Sequence, residues 1–239
     1  MSDEFCIYID GIEVKALRGQ KIIEAAEAAG IYIPRLCWMK ELTPAGKCRL
    51  CTVLVNGRPQ AACTQPAMPG MVVRNDTADL RLWRKNVLEM LLVEGNHFCM
   101  VCEKSGACQL QALCYRHGVT APRYPFLFPR REVDASHPDV LLDRDRCVQC
   151  SLCVRASKEL DGKNVFEFVN RGLSMRIAVN AERLGDTDLA RTDKAATICP
   201  VGALVLKRVG FATPVGSRLY DRAPIGSDIE ARKSCTGRA

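Results

Sequence analysis

Aromatic residues make up only 6% of the 239-residue chain and histidine occurs three times. No apolar run reaches the ~20 residues that a membrane-spanning helix needs. The best stretch, Val87 to Val93, is broken by Glu89 and bounded by Lys85 and Glu94. The N-terminus, MSDEFCIYID, has neither a basic n-region nor an apolar h-region, so a secretory signal is not expected. There is no G-x-G-x-x-G after a strand, no G-x-x-x-x-G-K-[ST] loop, no Ser/His/Asp set and no flavin signature. These absences argue against a chain that binds nucleotides or transforms a substrate by itself.

What the chain does have is cysteine, 14 in all. Dense cysteine in a secreted protein signals a disulfide scaffold, but a cytoplasmic chain in a reducing compartment holds thiols as metal ligands. The formal charge of +7 treats every cysteine as neutral. With eleven thiolates around iron–sulfur clusters, whose cores only partly offset them, the loaded protein falls to roughly +2. Lys and Arg are scattered rather than clustered, so no nucleic-acid partner is expected, and no membrane partner either.

The pattern predicts an α+β protein. Phe5, Ile7 and Ile9 alternate with polar neighbours, Asp10-Gly11 signals a hairpin, and Ile12, Val14 and Ala16 continue the alternation. Lys21 to Ala29 reads as a short helix ended by Gly30. Thr52–Val55, the Asn56-Gly57 turn and Met71–Val73 complete a β-grasp, ferredoxin-like unit over residues 1–78. Residues 79–121 read as a small helical unit. Its first helix, 79–94, has Leu80, Trp83, Val87, Met90 and Leu91 on one face, and its second, 104–117, has Leu110 and Leu113 inward. Residues 122–138 read as a Pro-rich ordered linker, 139–208 as a ferredoxin-like unit with strands near 165–169 and 204–207, and 209–239 as an extended docking arm.

Three cysteine sets carry the chemistry. Cys37, Cys48, Cys51 and Cys63 follow C-x10-C-x2-C-x11-C on loops of the first unit. Only one short pair is present where structural zinc usually takes two, so [2Fe–2S] is favoured over zinc. His97, Cys99, Cys102 and Cys108 form a mixed set in GNHFCMVCEKSGAC that can complete a [4Fe–4S] cube, with Cys114 as the rival to His97 for the fourth position. Cys147, Cys150 and Cys153, closed by the distant Cys199-Pro200, give a strong all-cysteine [4Fe–4S] pattern. Cys6 is expected to be a small buried filler, Cys235 a free thiol, and His117 and His137 solvated loop residues. Three clusters and no reactive pocket describe a wire rather than a reactor.

The order of the three sets resembles the N-terminal part of the large peripheral iron–sulfur subunit of complex I and the related portion of [FeFe] hydrogenases. Those relatives place three residues between the histidine and the next cysteine. Here one residue intervenes, and Gly95 stands at the aligned position. The short length and the ending RVGFATPVGSRLYDRAPIGSDIE look most like the small iron–sulfur subunit of the diaphorase module in cytoplasmic NAD-reducing [NiFe] hydrogenases. That resemblance implies a partner flavin subunit handling NAD(H) with FMN, and small and large hydrogenase subunits carrying the Ni–Fe site. The all-cysteine cluster is then expected toward one partner, with the other two toward the flavin side. Other readings are the relay subunit of an NAD-linked formate dehydrogenase or split complex I, an iron–sulfur sensor, and a zinc-stabilised adaptor.

Overall fold

The computed structural model describes residues 3–232. Strands β1 (Glu4–Ile9) and β2 (Ile12–Leu17) pair antiparallel. Asp10 (φ 51°) and Gly11 (φ 82°) make the turn, both left-handed as a type I′ hairpin demands. Helix α1 (Ile22–Ala28) buries Ile22, Ile23, Ala25 and Ala26. At its start the Glu24 carboxylate accepts from the Lys21 N–H at 2.8 Å. At its end the Ile31 N–H reaches back to the Ala26 carbonyl at 2.8 Å. Strands β3 (Thr52–Val55), β4 (Arg58–Ala61) and β5 (Val72–Arg74) complete a five-stranded sheet of order β2-β1-β5-β3-β4. β1 and β5 are parallel and the other pairs antiparallel.

Helix α2 (Ala78–Glu94) is capped by the Thr77 hydroxyl, which accepts from the Leu80 N–H. The face expected from sequence is only partly the buried one. Trp83 and Met90 are each 48% exposed, while Leu80, Arg84, Leu88, Glu89 and Val93 are buried. Two charged residues point inward because each has partners there. Arg84 donates to the carbonyls of Leu50 and Thr52 and to Asn75, and Glu89 receives Arg123. A count of apolar periodicity therefore finds Leu80, Val87 and Leu91 but misplaces Trp83 and Met90 and misses the inward Arg84 and Glu89. Helix α3 (Gln109–Arg116) is shorter than expected, because the chain before it turns to bring Cys108 to the N-cap; Leu110 and Leu113 do face inward.

The Pro-rich stretch is held against α2 by Arg123–Glu89, by the Leu127 N–H on the Val93 carbonyl, and by the Asn96 side chain on the Pro129 carbonyl. It also contains a strand, β6 (Val133–Asp134), which pairs with β7 (Val140–Asp143). Helix α4 (Leu152–Glu159), the hairpin of β8 (Phe166–Val169) and β9 (Arg176–Val179), the single turn α5 (Lys194–Thr197) and β10 (Leu204–Leu206) follow. β10 pairs antiparallel with β7, Leu204 opposite Leu142.

The C-terminal segment, expected as an extended docking arm, packs in part on the chain itself. A last turn of helix, α6 (Ser227–Glu230), folds back so that Ile225 and Ile229 are buried beside Tyr32. Arg116 pairs with Glu230, and the Tyr220 N–H bonds the Gly106 carbonyl at 2.8 Å. Phe211, Val215 and Leu219 of the same segment remain exposed. Cys235 lies outside the described residues. Three further expectations need correction. Cys6 is half-buried on the outer face of β1 rather than in the core. His137 is buried, with one ring nitrogen on the Leu189 carbonyl and the other accepting from the Asp139 and Val140 N–H groups. His117 has a buried, unpartnered Nε2. Both histidines lie in segments whose polarity suggests solvent, yet long-range packing covers them.

The apolar interior has two parts. One lies between the five-stranded sheet and α1. The other joins α2, α3, the C-terminal unit, Ile225 and Ile229 with Tyr32, Leu36, Cys37, Leu42 and Leu50 from the N-terminal loops. No helix among the described residues is long and apolar enough to cross a membrane.

Candidate functional site

The structure brings Cys37, Cys48, Cys51 and Cys63 together, sets Cys147, Cys150, Cys153 and Cys199 around one cavity, and places Cys99, Cys102 and Cys108 near one another. Cys37, Cys48, Cys51 and Cys63 come together on the loops that leave the five-stranded sheet. The Cys48 N–H donates to Cys37 Sγ at 3.4 Å. The sulfurs lie close enough to share protons. The thiols of Cys48 and Cys63 hand hydrogen bonds to Cys37, which holds Cys37 below the usual thiol range and pushes Cys48 and Cys63 up. Such a group readily accepts a cation that replaces the protons. The loop is clasped by α4: Arg155 donates to the carbonyls of Cys37 and Thr43, and the Thr43 N–H bonds Glu159.

Cys147, Cys150, Cys153 and Cys199 line one small apolar cavity with Leu142, Ile177 and Leu204. Gln149 (φ 52°) and Ser151 (φ 62°) are left-handed and wrap the loop around it, and the Gln149 N–H donates to Cys147 Sγ at 3.4 Å. Burial pushes Cys147 up to about 11 and drives Cys150 and Cys153 above the usual thiol range. Without a metal, the thiols of Cys147, Cys150 and Cys153 stay neutral in these surroundings. Cationic iron reverses that balance, as a coordinating metal deprotonates a thiol. Among the described residues, no three His, Cys, Asp or Glu side chains converge on the single point one metal ion requires.

At the mixed set, burial raises Cys99, and raises Cys108 to about 12; N–H groups at the start of α3, of Leu110 and Gln111, oppose this at Cys108. His97 is held to about 4 by burial, so the ring is neutral. It bonds the Leu91 backbone, while Nε2 is buried and unpartnered. That is the state of an imidazole ligand whose other nitrogen is held by a carbonyl. Gly95 is part of this arrangement. Its φ of −122° is open to any residue, so backbone freedom is not its role. A Cβ there would lie 2.5 Å from His97 Nε2 and 2.9 Å from the Asp145 carbonyl. Gly95 supplies room. The rival, Cys114, is also buried, raised to about 12 by burial, with Cys108 and Cys99 as its next influences. Cys114 thus lies near Cys99 and Cys108, while His97 lies against Gly95 and near Arg146, whose Nη1 approaches Cys102 Sγ.

The all-cysteine C-terminal site has neighbours from both other sets. Cys150 feels the charge of Cys37 on one side. On the other, a Cβ on Gly202, three residues beyond Cys199, would stand 2.6 Å from Cys102 Sγ. The Gln109 N–H also bonds the Pro200 carbonyl. Sequence spacing defines each set but carries no signal for this adjacency, or for the inward Arg84 and Arg146 beside the cysteines.

Comparison with known proteins agrees with three cluster-binding regions. Residues 2–78 match a 2Fe-2S iron-sulfur cluster binding domain. Residues 84–123 match the NADH-ubiquinone oxidoreductase-G iron-sulfur binding region, and 140–206 a 4Fe-4S single cluster domain. The chain is 39% identical to the NAD-reducing hydrogenase HoxS subunit gamma of Cupriavidus necator, over 90% of this chain and 92% of that one. It is 34% identical to the NADPH-Fe(3+) oxidoreductase subunit alpha of Geobacter sulfurreducens, over 85% of this chain but 24% of that longer protein. A crystal structure of an NAD+-reducing [NiFe]-hydrogenase in the H2-reduced state contains a chain of the same fold, with TM-score 0.90 and 50% identity. The match covers 92% of this chain and 94% of that one.

Proposed function

The chain belongs to the family of iron–sulfur electron-relay subunits that includes HoxS gamma, and we propose that it carries single electrons between a flavin/NAD(H) subunit and a [NiFe] hydrogenase module. The reaction of the assembled complex would be H2 + NAD+ to H+ + NADH, in the cytoplasm, with FMN, NAD and the Ni–Fe site on the partner subunits. This chain contributes no catalytic residue. The first unit is read as a β-grasp domain holding a [2Fe–2S] cluster through Cys37, Cys48, Cys51 and Cys63. Cys147, Cys150, Cys153 and Cys199 hold a [4Fe–4S] cluster. His97, Cys99, Cys102 and Cys108 hold another, His97 being preferred to Cys114 because its Nε2 is buried, neutral and otherwise without a partner.

Bound in these sites, the clusters would supply one-electron redox chemistry without bond making. The residues of the chain hold the clusters close, keep the C-terminal cavity apolar, and donate N–H groups to sulfur. The observation that supports the reading is that residues of the all-cysteine set neighbour both others, Cys150 being near Cys37 and Gly202 meeting Cys102. The test is anaerobic affinity purification from the native host. The expected result is about ten irons in this chain by cluster count, together with co-purifying nickel and flavin subunits. Two irons or fewer with stoichiometric zinc would overturn the relay, and a complex lacking nickel would overturn the hydrogenase assignment.

A further inference from the structure

Arg146 immediately precedes Cys147, yet its side chain turns toward the mixed His/Cys site. Nη1 approaches Cys102 Sγ at 3.6 Å and Glu103 Oε2 at 2.8 Å, and Nε pairs with Asp143 Oδ2 at 2.7 Å. The guanidinium side chain is 19% exposed. A Cβ on Gly202 would touch both Cys102 Sγ and, at 3.4 Å, Arg146 Cδ. The wall between the two sites is therefore made of a glycine, a sulfur and an arginine fork, with no bulkier side chain in these contacts.

A strut between two chain segments needs only the carboxylate pairs. The approach to sulfur is additional and has an electrostatic consequence. A donor and a positive charge beside a ligand sulfur stabilise the form with one more electron. We propose that Arg146 is a positioning residue that raises the potential of the site formed by His97, Cys99, Cys102 and Cys108, and so sets where an electron rests between it and the all-cysteine C-terminal site. The proposal rests on the ligand reading above. The step concerned is transfer of one electron from the reduced neighbouring cluster, with no bond or proton exchanged. Glu103 and Asp143 fix the sign of the test. Removing the guanidinium removes the donor and leaves two carboxylates without their shared cation, and both changes disfavour the added electron.

The test is an electron paramagnetic resonance redox titration of the anaerobically purified complex carrying Arg146→Met, Arg146→Lys or Glu103→Gln. Arg146→Met is expected to lower the midpoint of the mixed site, with about a tenfold change in its one-electron reduction equilibrium, or roughly 59 mV. The all-cysteine C-terminal site should shift less and the [2Fe–2S] site not at all. Arg146→Lys keeps the charge but not the fork, and should shift less than Met. Glu103→Gln should raise the midpoint. If Arg146→Met loses iron, the opposite signs expected of the Lys and Gln variants decide the matter. An unchanged mixed-site midpoint in iron-replete Arg146→Met, or equal shifts at all three sites, overturns the proposal. Cys102→Ser separates the premise: if it leaves the mixed-site signal intact, the ligand reading falls and the proposal falls with it.

Discussion

The two parts of the interior are built on different rules. The sheet–α1 core draws only on residues between Phe5 and Val73, from the strands, α1 and the loops that join them. The second core is assembled from every part of the chain, including Cys37 and Leu50 from loops of the first unit and Ile225 and Ile229 near the end. The first cluster set therefore does not belong wholly to the unit that carries it. Its loops leave the sheet and pack into the second core, where α4 clasps them through Arg155. Three cluster regions that look independent in sequence share one interior. For a relay this is apt, because the spacing of the sites is then fixed by packing rather than by linkers.

Cutting the centre of that shared interior should have the largest effect. On the proposed reading, Cys150→Ser removes a ligand from the site with neighbours from both other sets. Purified complex should lose about four of this chain's ten irons and retain under a hundredth of its H2-dependent NAD+ reduction. Flavin-dependent NADH oxidation with a soluble dye should persist. Activity above a tenth of normal would show that electrons bypass this site.

A paired core substitution sharpens the contrast between the two interiors. Leu88→Ala empties a fully buried position of the shared core, and Ile9→Ala does the same under the sheet. Each should cost about 2–5 kcal/mol. In a urea titration followed by iron release, Ile9→Ala should loosen the [2Fe–2S] iron first, whereas Leu88→Ala should release all three sites together. Identical release orders would mean that the two cores unfold as one.

The sheet was the easier half to read from sequence. Alternation in β1 and β2, the Asp10-Gly11 and Asn56-Gly57 turns and the cap of α1 are local signals, and each reappears in the structure. The three cluster-binding regions were legible because most of the cysteine spacing is also local. What stayed hidden is long-range. Arg84 and Glu89 break the apolar stripe of α2 because their partners lie at Leu50, Thr52, Asn75 and Arg123. The adjacency of the third set to the second depends on Gly202 meeting Cys102, about a hundred residues away in the chain. The C-terminal segment resembled a tail by composition, yet Ile225 and Ile229 find Tyr32.

The fourth position of the mixed site offers a smaller, more local effect. His97→Ala should leave the cluster labile and deplete its signal severalfold, whereas Cys114→Ser should be nearly silent. His97→Cys should keep a cluster and lower its midpoint, since a fourth thiolate adds negative charge. The reverse pattern would give the position to Cys114. Neither variant should disturb the [2Fe–2S] signal.

The smallest expected effect is at the seam between the cores. His117 ends α3 beside a cleft lined by Asp10 and Tyr32 of the first unit and by Arg84 and Arg116. Burial holds its ring down to about 4, with Arg84 and Arg116 adding to the effect and Asp76 opposing it. The unfolded ring titrates near the ordinary 6.5. Above that pH neither state binds the proton and the histidine contributes no pH dependence. As the pH falls from 6.5 toward 4, the unfolded chain takes up a proton that the folded chain refuses, so stability declines across that window. Full exclusion from water would make the loss about 3 kcal/mol at most. His117→Gln removes the titration and should flatten the stability curve of the complex between pH 6.5 and 4.5, with little change at pH 7.5. The measurement is the urea midpoint at both ends of that window, with iron content monitored so that acid loss of a cluster is not counted as unfolding. An unaltered acid slope in the variant would place the sensitivity elsewhere, and the seam would then be no weaker in acid than the cores it joins.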